Sequence, residues 1–191
     1  LTAWLPRDSE DYARALALRA RAYDQLDEIE KFTAIAIDYL KLFPQGEDRG
    51  WFLVRLAEQR AQEGADSDAA VIWREIAKED IPLESADAVE GAKILLGTGE
   101  ARAARTLLER GFADRFAGAE LEDERDMILL DSLLVRDNSE IEIPDRRSWS
   151  EPTAASFNLR RAMVLEIRGY WPEARELYQK LDLHRLTLNE E

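Results

Sequence analysis

The chain contains no cysteine and a single histidine, His184, among its 191 residues. Without thiols there is no disulfide framework, no thiolate metal site and no cysteine nucleophile. A lone histidine excludes any site that draws two histidines from one chain. Glycine (9) and proline (6) are scarce, which excludes a collagen-like chain and a turn-rich β architecture. No stretch approaches the ~20 apolar residues of a membrane span, so direct membrane insertion is not expected. Basic residues are outnumbered as well: 26 Lys and Arg face 40 Asp and Glu, a formal net charge of −14. Residues 1–95 carry net −8 and residues 96–191 net −6. Neither half has the basic footprint of a nucleic-acid binder, and an anionic membrane surface would be repelled on average.

What is present is apolar and helical. Hydrophobic residues make up 46% of the chain, enough for one domain of ordinary size with a sizeable core. The acidity then reads as the solvated face of helices. Twenty-one of the 26 basic residues are Arg, suited to i,i+4 pairs with acids worth ~0.3 kcal/mol each.

Proline spacing shows the organisation. Pro6, Pro44 and Pro82 lie 38 residues apart, and short polar stretches (RDSED, QGEDR, LESAD) follow them. Each proline ends a helix and each polar stretch supplies the N-cap of the next. Helical periodicity fills the intervals: Trp51, Phe52, Val54, Leu56 and Ala57 within 48–63, stopped by Gly64, then Ala69, Ala70, Ile72, Trp73, Ile76 and Ala77 within 66–78. Two such helices joined by a few residues form an antiparallel hairpin. Only EIEI at 140–143 hints at a strand.

Register repeats the same unit. Ala20, Ala57, Ala92 and Ala162 are followed twelve residues later by Phe32, Ala69, Ala104 and Ala174, and four beyond by Ala36, Trp73, Leu108 and Tyr178. The steps are 37, 35 and 70 residues, the last being twice 35. Small residues are expected where paired helices cross closely, and large ones in the groove against the neighbouring pair. Phe32 with Ala36 inverts the usual small-then-large order, an exchange that conserves volume.

RAMVLEIRGYWPEARELYQKL (161–181) carries this pattern best, followed by residues 53–82, 91–108 and, more loosely, 19–44. Together they resemble the tetratricopeptide repeat, W-x2-LG-x2-Y, then A-x3-F, then P. Leu53, Ala88 and Asn158 stand where the outline has its initial Trp, so the repeats are divergent. The resemblance implies an all-α fold: a right-handed α-α superhelix of about four to five antiparallel helix pairs in one domain over 1–191. The units fall at 8–44, 48–82, 85–117, a degenerate 121–136, and 153–182. An irregular loop at 137–152 replaces a second helix. LTAWLP at the start looks like the tail of a preceding repeat, which makes the chain a fragment of a longer protein. Leu1 to Leu5 should then pack on the first pair.

Other features read as structural. ELEDERD (120–126) reads as a solvated helix N-terminus favoured by the macrodipole, and Gly97-Thr98-Gly99 as a turn inside a pair. His184 lies on a polar tail, and Ser132 and Ser156 have no histidine beside them in sequence. No cofactor, metal or catalytic residue is expected. Trp73 and Trp171 fall on core positions by register. Trp51 faces either the core or the groove, and Trp149 in the loop is either a plug or a partner contact.

The resemblance further implies a non-enzymatic scaffold for a protein or peptide partner, bound on the concave face lined by first helices. By register that face takes Arg14, Arg21, Gln25, Trp51, Glu58, Gln62, Lys93 and Met163. YLKLFPQGED is similar to second-helix endings of bacterial cell-envelope repeat proteins, which implies an envelope assembly ahead of a cytoplasmic one. The alternative is a spacer or self-association segment of a larger polypeptide.

Overall fold

The computed structural model describes residues 6–79, 81–113, 117–135, 143 and 151–181, the side chains of 151–153 apart. Nine helices and no strand occur among these residues: α1 (Glu10–Gln25), α2 (Ile29–Leu42), α3 (Arg49–Gln62), α4 (Asp66–Lys78), α5 (Ser85–Gly97), α6 (Ala101–Gly111), α7 (Ala119–Leu134), α8 (Glu151–Ile167) and α9 (Trp171–Lys180). They fall into two compact units, Leu1–Ile81 and Pro82–Glu191. In the first, α1 packs on α2, α2 on α3 and α3 on α4; in the second, α5 packs on α6 and α7, α6 on α7, α7 on α8 and α8 on α9.

Four helix hairpins share one turn. In α1–α2, α3–α4, α5–α6 and α8–α9 three residues join the helices. The middle one, Asp27, Gly64, Gly99 or Gly169, has φ of 56°, 75°, 85° or 83°. The next residue's N–H reaches back five positions: Glu28 to Tyr23, Ala65 to Arg60, Glu100 to Leu95 and Tyr170 to Leu165, at 2.7 to 2.9 Å. This closure satisfies carbonyls left open at the helix end. It recurs at steps of 37, 35 and 70, in phase with the alanines. Ala20, Ala57, Ala92 and Ala162 are fully buried, and Phe32, Ala69, Ala104 and Ala174 nearly so. Phe32 and Ala36 are both buried, as their exchanged volumes require. Between α5 and α6 the helices approach closely at Gly111, where an added Cβ would lie 2.3 Å from that of Ala88.

The core of the first unit runs through Leu16, Ala17 and Ala20 of α1, Phe32, Ile35 and Tyr39 of α2, and Phe52 and Leu56 of α3. Rings join the elements: Phe52 lies 4.4 Å from Tyr39 between centroids, and Trp51 meets Phe32 edge-on at 5.8 Å. The Tyr39 hydroxyl also accepts the backbone N–H of Asp48 at 3.2 Å, capping α3 from another helix. A second cluster gathers Leu130 and Leu133 of α7 with Phe157 and Val164 of α8, and Ile143 packs against it.

Several expectations change. Of the polar stretches after Pro6, Pro44 and Pro82, only the first supplies a side-chain cap, with Ser9 Oγ accepting from Tyr12 N–H at 3.2 Å. The Asp48 carboxylate turns instead to Arg21. Helix α8 begins at Glu151, not 153, so the last two residues of the expected 137–152 loop are helical. Tyr178 is 37% exposed, against the core position expected for it, because no further first helix covers α9 among the described residues. Trp171, also expected in the core, is 61% exposed, and its register counterparts Ile29 of α2 and Asp66 of α4 are exposed too. Trp73 is fully buried as expected. Leu1 to Leu5, Trp149, His184 and most of the 137–150 segment lie outside the described residues.

Two glycine substitutions separate the constraints. Gly111→Ala should lower stability by about 2 kcal/mol through overpacking against Ala88. Gly99→Ala, with open space around it, should cost about 1 kcal/mol from the left-handed backbone alone. Asp27→Gly should raise the urea midpoint. Equilibrium urea unfolding measures all three.

Candidate functional site

The residues nominated for the inner face divide between the units. Arg14, Arg21, Gln25, Trp51, Glu58 and Gln62 stand on α1 and α3; Lys93 is on α5 and Met163 on α8. Gln25, Gln62, Lys93 and Met163 are exposed, Arg21 and Trp51 half-buried, and Glu58 buried.

Within the first unit, ion pairs tie α1 to α3 and its N-cap. Arg21 Nη2 donates to Asp48 Oδ1 at 2.5 Å, and its guanidinium sits 4.9 Å over the Trp51 ring. Asp24 Oδ1 accepts from Arg55 Nη2 at 2.6 Å, and Arg55 also donates to Glu58. Trp51 is therefore shared between the two readings open for it: one edge meets Phe32, one face carries Arg21. Around the α1–α2 turn, Asp24, Asp27, Phe32, Arg55, Gln59 and Gln62 line a small cleft.

In the second unit the same pairing recurs. Lys93 of α5 donates to Glu124 of α7, and Asp131 of α7 accepts from Arg160 of α8 at 2.6 Å. A groove between α5 and α7 has Leu96, Met127 and Ile128 on its floor, with Lys93, Glu124 and Asp131 on its rim. Asp24–Arg55 and Lys93–Glu124 have the same sequence separation of 31. Arg55, Asp24 and Glu124 were not nominated from sequence. Opposite charges 29 to 31 residues apart on successive first helices were the available signal.

The acidic run 120–126 is not wholly solvated. Asp126 is buried, and burial pushes its carboxyl above the ordinary range against the pull of the adjacent Arg125 guanidinium at 2.5 Å. Burial also raises Asp123. Ser132 is fully buried and donates to the Leu129 carbonyl at 2.6 Å. No group of three or more His, Cys, Asp or Glu is placed to hold a metal among the described residues. No described helix is long and apolar enough to cross a membrane.

A bridge with a largely buried guanidinium joins α3 to the far end of α4. Arg49 donates to Glu79 at 2.6 and 3.0 Å and to Glu75 at 2.5 Å. These bonds hold the Glu79 carboxyl below its usual range. A carboxylate whose folded pKa is depressed stabilises the fold above its unfolded pKa, and that contribution is lost as pH falls through the folded value.

No protein-family model, curated protein or solved structure gives a significant match to this chain.

Arg49→Gln should therefore lower unfolding free energy by about 1–2 kcal/mol at neutral pH, the worth of charged hydrogen bonds to partly exposed partners. The deficit should shrink as pH falls through the range in which Glu79 is protonated. Chemical denaturation of both proteins across acidic pH gives the difference curve.

Proposed function

We propose that this chain is a non-enzymatic helical-repeat scaffold of the tetratricopeptide type. Its hairpins stack into a right-handed superhelix, and the concave face formed by first helices holds a protein or peptide partner. The observation that carries this reading is periodicity at two levels. Buried alanines and left-handed turn residues recur in one register, which is how stacked repeats share a continuous core.

The charges nominated on that face are paired within the chain: Arg14 with Glu10, Arg21 with Asp48, Lys93 with Glu124. A partner would displace these pairs or read the surface through exposed Gln25, Gln62 and Met163, with the apolar floor of the α5–α7 groove as an anchor pocket. The YLKLFPQGED resemblance supports placing the scaffold in a bacterial envelope assembly. A second reading, a self-association segment, is favoured by apolar side chains exposed on the first and last hairpins.

A photo-cross-linking amino acid at positions 25 and 62 should capture a partner protein in cells of the source organism. The same residue at Ala34 and Val71, exposed on second helices, should not. Equal capture at all four positions, or none at 25 and 62, would sink the concave-face reading.

A further inference from the structure

Gly97 ends α5 on the wall of the groove between α5 and α7, and nothing in the fold requires a glycine there. Its backbone is not left-handed, and a Cβ added to it would meet nothing within 4 Å. Glycine in a helix costs about 0.5–1 kcal/mol relative to alanine. What it supplies at this position is room. The groove it opens has a volume of about 410 Å³, in the range of pockets that hold ligands. Leu96 and Met127 are half-buried on its floor, and Ile128 is buried.

One face of α7 carries the charge of this groove. Glu124, Met127, Ile128 and Asp131 all line it, at the i, i+3, i+4, i+7 spacing of a single helix face. An apolar centre is thus flanked by two carboxylates seven residues apart, about 10 Å along the helix axis. Each is tied through one oxygen, Glu124 Oε1 to Lys93 of α5 and Asp131 Oδ1 to Arg160 of α8. The second oxygen of each accepts no hydrogen bond among the described residues. A carboxylate has room for several donors. The two side chains are 38% and 35% exposed, so an incoming cation adds to the internal pairs without breaking them.

Pairing within the chain leaves this surface negative. Helix α7 holds six acids and one base, and helices α5 to α9 together hold thirteen acids and nine bases. However the nine are partnered, the acids remain in excess. A cationic partner is drawn to such a surface and an acidic one is repelled. Spacing narrows the choice further. An extended segment sets same-side side chains about 7 or 13 Å apart, whereas residues i and i+7 of a helix match the ~10 Å between the two acids.

We propose that the α5–α7 groove receives a cationic amphipathic helix of a partner protein. Apolar side chains at its i+3 and i+4 positions rest on Leu96, Met127 and Ile128 beside Gly97, and Lys or Arg at i and i+7 reach the second oxygens of Glu124 and Asp131. This deepens the scaffold reading and rests on it for a protein partner, while every residue it uses lies within the second unit.

Fluorescence anisotropy with a labelled alanine-based helical peptide tests this. The peptide carries lysines at its fourth and eleventh positions and leucines at its seventh and eighth. A second peptide has glutamates in place of the lysines, and a third keeps the composition but puts lysines and leucines on opposite faces. The full chain should bind the first peptide about tenfold more tightly than either control, and added salt should weaken that binding. Gly97→Leu should keep or raise the thermal midpoint and weaken binding about tenfold, because its side chain crowds the floor. Asp131→Asn should weaken binding about threefold and lower its salt dependence. Equal binding of the three peptides, no binding of the lysine peptide, or undiminished binding by Gly97→Leu overturns the proposal. Partner capture at positions 25 and 62 depends on none of these results, so failure of the groove is distinguishable from failure of the concave-face reading.

Discussion

Each hairpin depends on one backbone event, a single residue turned into the left-handed region between two helices. It ends the first helix, satisfies its open carbonyls and directs the second helix back along the first. Because three residues make every connection, the second helix starts at the same phase each time. The fully buried alanines then meet the same part of the partner helix in each pair. Three of the four positions use glycine, which takes this conformation at little steric cost. Asp27 takes it with a side chain, as Asp is better able to do than most residues.

Electrostatics is built on that frame. An acidic chain repels itself, and several of its cations offset this by bridging helices. Arg55, Lys93 and Arg160 link successive first helices, and Arg49 gathers two carboxylates of α4. Such pairs are individually modest in water. Their contribution here is to orient helices that otherwise meet through small side chains. The same pairing limits what Arg14, Arg21 and Lys93 can offer any partner, since they already face acids of their own chain.

The hairpins were legible in the sequence because their determinants are local. Asp66–Lys78 is a helix with those bounds, and Gly64, Gly99 and Gly169 fall at turns, since periodicity and glycine act over a few residues. Caps were less legible. Asp48 reads as an N-cap, but a nearby Arg21 takes its carboxylate and a hydroxyl from α2 takes its N–H. Asp126 reads as solvated because an acid in a charged run usually is, yet its side of α7 is buried. Tyr178 reads as core because register assigns it the position of buried Ala36, Trp73 and Leu108, while burial depends on whether another helix follows.

Sequence alone determined the helical class, the repeat length and the phase of its small residues. Hydrophobic period and turn chemistry are written within one or two turns of chain. Tertiary structure decided which charges pair, which helix end is capped by a distant hydroxyl, and which apolar faces stay open. These depend on which helix lies alongside, and residues some thirty positions apart become neighbours only when the hairpins stack.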